Sequence, residues 1–103
     1  MIYIIETTCE TREQAQAIAQ KLVESRLVAC CQLNDISSYY LWKTALNTEA
    51  EVLLRMKTST KKIEQVVSLL QDIHPYDVPE ILVYEAESPG QEYQDWIDEG
   101  DDS

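Results

Sequence analysis

Basic residues and glycines are scarce in this 103-residue chain. Eight Lys and Arg stand against nineteen Asp and Glu, which gives a formal net charge of −11 at pH 7. Nucleic acid is itself polyanionic and usually binds to a basic face, so the composition argues against a nucleic-acid partner. With only two glycines, the chain has no glycine-rich loop to cradle phosphate groups, which argues against a phosphate-binding enzyme.

Long apolar runs are also absent, since none approaches the roughly 18 residues that span a bilayer. The first residues, Met1 to Ile5, have the character of a strand rather than of a targeting leader. We therefore expect a cytoplasmic protein with no membrane partner. The three cysteines are an odd number, and in that compartment they are expected to be free thiols.

The length and composition predict one globular domain, because 45% of the residues are apolar and 26% are charged. No linker, repeat or low-complexity tract divides the chain. We expect the domain to occupy residues 1–98 and an acidic, solvated tail to occupy residues 99–103.

Two long amphipathic helices are predicted from the spacing of apolar residues. The first runs from about Arg12 to Arg26 and follows a capping box formed by Thr11 and Gln14. The second lies between Thr60 and Pro75, because the residue before a proline is disfavoured in the α conformation. A third, short helix closes the chain, and its apolar stripe consists of Tyr93, Trp96 and Ile97.

Four strands are predicted from apolar and β-branched runs. They are Met1 to Glu6, Leu27 to Leu33 with a continuation from Ile36 to Trp42, Glu49 to Thr58, and Ile81 to Tyr84. Only residues 43–48 separate the second strand from the third, which indicates a long antiparallel hairpin. The order βαββαβ with a short C-terminal helix is that of a ferredoxin-like sandwich, an α+β fold.

The faces of this sheet predict self-association. Two long helices cover only one side of four strands, whereas the first and last strands are apolar on both sides. A large uncovered apolar face is unusual on a stable monomer. We therefore expect other copies of the chain to cover the second face.

The most unusual stretch is His74-Pro75-Tyr76-Asp77-Val78-Pro79-Glu80. It places the only histidine, a tyrosine and carboxylates on a connection stiffened by two prolines. Such a rigid loop is suited to binding a metal ion or a small polar ligand. The alternative, which the spacing alone favours, is a structural turn in which His74 caps the preceding helix and Tyr76 packs.

The cysteines do not form a recognisable metal or catalytic motif. Cys30 and Cys31 are neighbours on a predicted strand, so their side chains leave opposite faces and cannot chelate one ion together. Cys9 is expected in an exposed turn before the first helix. We expect no enzymatic activity, because a Cys–His pair would lack an orienting group and an oxyanion donor set. Thiol and imidazole ligands shared between subunits would suit copper better than magnesium.

Several segments, in this order and spacing, together resemble the CutA family of divalent-cation tolerance proteins from about Ile4 to Ile97. They are Ala19 to Cys30, Ser38 to Trp42, Glu49 and Glu51, Lys57-Thr58, His74 to Glu80, and Gly90-x-x-Tyr93-x-x-Trp96. The resemblance implies a ferredoxin-like subunit in a tight homotrimer, similar in architecture to the PII-type signalling trimers. It also implies a role in tolerance of divalent cations, chiefly copper.

The resemblance further implies particular site residues. It suggests His74 and Glu80 as metal ligands, and clefts between subunits at which Lys57, Trp42 and Tyr76 are candidate binding residues. The leading prediction is a non-enzymatic homotrimer that binds copper or another divalent cation without an organic cofactor. The alternative is a PII-like small-molecule sensor or interaction scaffold in which metal binding is incidental.

The sequence also departs from the family pattern. The cysteine that some relatives carry at the end of the first strand is Glu6 in this chain. The Trp-Glu-Gly that usually turns the hairpin is Trp42-Lys43-Thr44. We therefore expect a slightly different hairpin within the same fold.

Overall fold

The structure is a computed structural model that describes residues 1–100. Its elements are β1 (Ile2–Cys9), α1 (Arg12–Glu24), β2 (Cys30–Trp42), β3 (Ala45–Thr58), α2 (Ile63–Ile73), β4 (Ile81–Ala86) and α3 (Gln91–Gly100). The strands form one sheet in the order β2-β3-β1-β4, and each neighbouring pair is antiparallel. The predicted ferredoxin-like α+β fold is confirmed.

The C-terminal helix reaches further than the sequence indicated. Helix α3 continues to Gly100, so the first part of the expected acidic tail is helical. The remainder of that tail, residues 101–103, lies outside the described residues. Among the helices formed by residues 1–100, none combines the length and the apolarity needed to cross a membrane.

Helix α1 begins at the predicted capping box. The backbone N–H of Gln14 donates to Thr11 Oγ1 at 3.2 Å, and the Thr11 N–H donates to Gln14 Oε1 at 3.3 Å. The helix ends at Glu24 rather than near Arg26, because Arg26 takes a positive φ of 62°. The chain then turns, and the Leu27 N–H donates to the Leu22 carbonyl at 3.1 Å. Strand β2 therefore begins at Cys30 and not at Leu27.

Strand β1 is longer than predicted and changes the position of Cys9. The antiparallel ladder of β1 and β3 continues from Tyr3 opposite Thr58 as far as Cys9 opposite Val52. Cys9 is fully buried at the end of a strand, so the expectation of an exposed turn is wrong. The reason is long-range pairing with β3, which continues the ladder through the polar residues Thr7 and Thr8.

The hairpin of β2 and β3 is paired along its whole length, from Cys30 opposite Lys57 to Trp42 opposite Ala45. Its turn consists of Lys43 and Thr44, whose φ angles are 51° and 67°. Two positive φ angles are typical of the turn that matches the right-handed twist of a two-residue hairpin. The predicted gap over residues 43–48 is therefore wrong, because most of it belongs to β3.

We predict that the double substitution Lys43→Asn/Thr44→Gly will stabilise the protein. Each L-residue with a Cβ costs about 1–2 kcal/mol in the left-handed region, and a β-branched threonine is especially unfavourable there. Allowing for the entropy that glycine adds to the unfolded chain, the free energy of unfolding should rise by about 1 kcal/mol. Urea unfolding at one fixed protein concentration measures it.

Thr48→Gly is the matched control for the hairpin substitution, because Thr48 lies in the extended ladder opposite Tyr39. Glycine weakens a strand by roughly 0.5–1 kcal/mol relative to alanine, so the control should lower the free energy of unfolding. A loss of stability in both variants would contradict the assignment of strain to the turn.

The main core lies between one face of the sheet and the helices α1 and α2. Its buried side chains are Ile5, Cys9, Ala15, Ile18, Leu22, Val28, Val52, Leu54, Met56, Val66 and Leu70. The stripe predicted for α1 supplies Ala15, Ile18 and Leu22. We call this side of the sheet the helix face and the opposite side the back face.

The back face is less apolar than the sequence indicated. Ile2 and Ile4 of β1 do lie on it, but Ile97 of α3 packs against them, so this chain covers them itself. Further along, Glu6 accepts hydrogen bonds from Arg55 Nε and from the Tyr84 hydroxyl, both at 3.0 Å. The expectation that the apolar residues of the first strand are left uncovered on this face is therefore wrong for Ile2 and Ile4.

A group of strongly exposed apolar side chains lies at the free end of the hairpin. Tyr39, Leu41 and Leu46 are each 70–72% exposed. The ladder places Leu41 opposite Leu46, and alternation along β2 puts Tyr39 on the same side. We call these three side chains the tip patch. They lie on the helix face but beyond the part of the sheet that the buried core occupies.

Candidate functional site

The loop between α2 and β4 contains the only histidine, and the fold buries it. His74 is 8% exposed. Its Nε2 atom lies 2.9 Å from Thr7 Oγ1 and 3.0 Å from the Thr8 carbonyl oxygen. Its Nδ1 atom accepts the Tyr76 backbone N–H at 3.1 Å. Both ring nitrogens therefore have partners within the chain.

The partners of His74 fix its tautomer. The Thr8 carbonyl can only accept and the Tyr76 N–H can only donate, so the ring proton resides on Nε2. Thr7 donates its own hydroxyl proton to the Glu80 carbonyl at 2.6 Å, which leaves its oxygen to accept from Nε2. Burial lowers the pKa of His74, against the opposing effect of the bond to Thr8. The structure thus favours a neutral imidazole.

Tyr76 fastens the same loop to the hairpin. Its hydroxyl donates to Glu51 Oε2 at 3.0 Å, and Ser38 donates to the other carboxylate oxygen of Glu51 at 2.6 Å. The Tyr76 ring lies against His74, with 5.1 Å between centroids. Burial, followed by the hydrogen bond to Glu51, raises the pKa of Tyr76 well above its ordinary value. The loop is therefore tied to β1, β2 and β3.

The two predicted metal ligands do not form a ready-made site in one chain. Glu80 is exposed, and its hydrogen bond with Thr7 uses the backbone carbonyl rather than the carboxylate. Within residues 1–100, no group of three or more His, Cys, Asp or Glu side chains is arranged to hold a metal ion. That His74 and Glu80 bind a metal stays a prediction, and it requires the imidazole to give up one of its present hydrogen bonds.

Two of the three predicted cleft residues, Lys57 and Trp42, are far apart within one chain. Lys57 lies near the end of β3, where its Nζ is 3.3 Å from the Tyr93 hydroxyl and 5.8 Å from that ring's centroid. Trp42 lies at the opposite end, paired with Ala45. At about 3.3 Å per residue, the twelve steps along β3 from Ala45 to Lys57 span about 40 Å. A cleft that contains both residues would need more than one subunit.

A concave surface that sequence reasoning missed lies where β1 ends and the hairpin continues. One cavity of about 410 Å³ is lined by Glu10, Glu49, Ala50 and Tyr76. We call it the acidic notch. A second cavity, also of about 410 Å³, shares Glu10 and Ala50 and continues towards the Arg12–Asp35 ion pair of 2.7 Å. The signal in the sequence was the pair Glu49 and Glu51, whereas nothing had marked Glu10.

The cysteines are free thiols, as expected, and two of them are poorly suited to chemistry. Burial raises the pKa of Cys9 to about 11 and the pKa of Cys31 to about 12. Cys31 packs against the main core. Since the thiolate is the reactive and metal-binding form, neither side chain is primed as a nucleophile or as a ligand.

Comparison with known proteins decides the family. The sequence profile described as CutA1 divalent ion tolerance protein matches residues 3–100. The chain belongs to the CutA family. The resemblance seen in the loop, the hairpin and the closing helix is thereby confirmed.

Individual CutA relatives agree over nearly the whole chain. A probable divalent-cation tolerance protein cutA homolog of Encephalitozoon cuniculi is 36% identical over 95 residues, which cover 92% of this chain and 83% of that protein. The Cut A1 structure from Thermus thermophilus is 34% identical with a TM-score of 0.87, covering 97% of this chain and 98% of that one. The CutA1 structure from Ehrlichia chaffeensis has a TM-score of 0.92 at 28% identity, covering 97% and 94%.

The CutA relatives from animals are longer than this chain. It spans 65% of one such relative and 51% of two others. The shared part is therefore the domain described above.

Proposed function

We propose that this CutA-family chain is a non-enzymatic, cytoplasmic protein that binds a divalent cation, copper foremost, and contributes to cation tolerance. The acidic notch carries the proposal, because it sets Glu10 and Glu49 beside Tyr76 in a chain of net charge −11. Carboxylate oxygens suit divalent cations, whereas the Tyr76 hydroxyl is committed to Glu51 and forms a wall of the notch. For a given set of oxygen and nitrogen ligands, affinity among first-row divalent ions is highest for Cu²⁺. No organic cofactor is required.

We also propose that the working form is a homotrimer. Support comes from the tip patch, because three large apolar side chains that are each 70–72% exposed are unfavourable in water. The separation of Lys57 from Trp42 gives further support, since only neighbouring subunits would bring the predicted cleft residues together.

Calorimetric titration with Cu²⁺ tests the cation proposal. The wild-type protein should give a saturable isotherm, and Glu10→Gln/Glu49→Gln should weaken binding at least tenfold. Glu80→Gln belongs in the same series because the family resemblance implies Glu80 as a ligand. Glu92→Gln, an exposed position in the first turn of α3, is the matched control and should bind as wild type does. A wild-type protein that binds neither Cu²⁺ nor Zn²⁺ would refute the proposal.

A PII-like sensor or interaction scaffold is the second candidate. The observation in its favour is the size of the cavities, because about 410 Å³ falls in the range of small-molecule sites, roughly 300–1,000 Å³. Thermal-shift measurements with nucleotides and metabolites in the presence of a chelator distinguish the candidates. A saturable shift that survives the chelator favours the sensor.

The proposal of a non-enzymatic chain leads to a prediction about alkylation of the cysteines. Because burial raises the pKa of Cys9 to about 11, its thiolate fraction at pH 8 should be lower than that of an unperturbed thiol by about a hundredfold. Cys31, with a pKa raised to about 12, should react more slowly still. Peptide mapping by mass spectrometry after iodoacetamide treatment measures both rates.

The same alkylation in concentrated urea provides the control, because unfolding removes the burial that raises both pKa values. The rates in the folded protein should increase as the pH rises towards 11. Rapid modification of Cys9 or Cys31 at pH 8 in the folded protein would contradict the proposal of a non-enzymatic chain.

A further inference from the structure

We infer that His74 is a structural clasp that fastens the loop to β1, and that the cation is held without its imidazole. The first half rests on the hydrogen bonds alone, and the second half rests on the proposed function. The name His74 clasp refers here to the three contacts of the ring with Thr7, Thr8 and Tyr76.

The ring has no lone pair left for a metal. A neutral imidazole ligates through its one unprotonated nitrogen, which here is Nδ1. That lone pair accepts the Tyr76 N–H at 3.1 Å, while the Nε2 proton lies between Thr7 Oγ1 and the Thr8 carbonyl at 2.9 and 3.0 Å. Turning the ring over would place carbon atoms against these polar groups and leave them unsatisfied.

Freeing Nδ1 would require the loop itself to move. The backbone N–H that occupies Nδ1 belongs to Tyr76, whose side chain is anchored to Glu51, and Glu51 is held in turn by Ser38. His74 is 8% exposed, and the Tyr76 ring lies against its imidazole. A cation that reached Nδ1 would therefore have to disrupt a chain of hydrogen bonds that spans three strands.

The clasp also explains why a histidine is suited to this position. Strand β4 pairs with β1 only as far as Thr7, and the His74 ring supplies a donor to the Thr8 carbonyl just beyond. An imidazole offers a donor and an acceptor on opposite edges of one rigid ring. It therefore joins β1 to the Tyr76 backbone and holds Tyr76 as a wall of the acidic notch. In this role His74 positions the notch without touching its contents.

Three substitutions of His74 separate a clasp from a ligand. His74→Gln extends a donor towards the Thr8 carbonyl, His74→Asn keeps an acceptor near the Tyr76 N–H, and His74→Ala keeps neither. For a clasp, the melting temperature should fall in the order wild type, then Gln and Asn, then Ala, and Ala should lie roughly 5–10 °C below wild type. Calorimetry with Cu²⁺ should give dissociation constants within threefold of wild type for the Gln and Asn variants.

Nitrogen NMR of the wild-type imidazole provides a readout that does not depend on folding of any variant. The clasp predicts a protonated Nε2 and an unprotonated Nδ1. The resonances of both nitrogens should stay unchanged when Zn²⁺ is added to saturation. A shift of the Nδ1 resonance with Zn²⁺, or a loss of Cu²⁺ affinity of tenfold or more in both the Gln and Asn variants, would overturn the inference.

The inference and the proposed function fail separately. If wild-type protein binds neither Cu²⁺ nor Zn²⁺, the proposed function is wrong, while the order of melting temperatures and the tautomer still decide whether His74 is a clasp. If the cation binds and the melting temperatures of all three variants equal that of wild type, the clasp is wrong and the proposed function stands.

Discussion

Leu41→Glu should convert the proposed homotrimer into a monomer. Leu41 is 72% exposed in the isolated chain and lies opposite Leu46 in the tip patch. Full burial of a leucine side chain contributes about 1.5–3 kcal/mol, and burying an unpaired carboxylate costs several kcal/mol more. Because closed symmetry repeats the change in every subunit, the effect on assembly is multiplied. Sedimentation equilibrium should report 11.9 kDa for the variant and about three times that mass for wild type.

Gln16→Glu is the matched control for the tip substitution. Gln16 is exposed on α1 and the substitution adds the same charge, so the mass of this variant should equal that of wild type. Circular dichroism should show that both variants are folded. A wild-type protein that sediments at 11.9 kDa at micromolar concentration would refute the trimer, and a Leu41→Glu variant that remains trimeric would remove the tip patch from the interface.

Elements with strong local signals were predictable from the sequence. Helix α1 is marked by a capping box and by apolar residues at helical spacing, and both features depend only on neighbouring positions. The C-terminal boundary of α2 follows similarly, because Pro75 prevents the helix from continuing beyond His74. These signals sufficed for the order of elements and hence for the ferredoxin-like fold.

Strand ends were less predictable, because long-range pairing decides them. Thr7 and Thr8 are polar and the first helix follows closely, so nothing local extends β1 to Cys9. The ladder with Leu54, Leu53 and Val52 does so. At the hairpin, Lys43 and Thr44 lack the glycine that usually marks a two-residue turn. The sequence therefore predicts a connection that is too long, and the first four residues of β3 lie outside the predicted strand.

The same contrast between local signals and long-range contacts applies to the candidate site. The sequence indicated the loop from His74 to Glu80 and left two interpretations open, a ligand site and a structural turn. The contacts that favour the structural turn join His74 to Thr7 and Thr8, which lie 67 and 66 positions away along the chain. The acidic notch was unpredictable for a related reason, since it exists because β1 is shorter than the hairpin beside it.

Ile97→Ala should lower the free energy of unfolding by about 2–4 kcal/mol. Ile97 is fully buried where α3 crosses the back face, packed against Ile2 and Ile4. Truncation removes apolar contact and leaves a cavity that the two isoleucines cannot fill. Urea unfolding followed by circular dichroism measures the change. In a Trp42→Phe background, the fluorescence of Trp96 reports whether α3 separates before the sheet unfolds. Val78→Ala is the control, because Val78 is 90% exposed and should change stability by less than about 0.5 kcal/mol.

Repeating the Ile97 measurement in a Leu41→Glu background distinguishes two roles for α3. If the helix covers the back face within each subunit, as the contacts with Ile2 and Ile4 indicate, the loss of stability should be the same in the monomeric variant as in the assembled protein, because the sites are far apart and independent. If the cost disappears in the monomer, α3 stabilises the assembly rather than the subunit. An effect below about 1 kcal/mol in both backgrounds would contradict the packing of α3. Apolar residues at both ends of the sheet would then depend on neighbouring copies for cover.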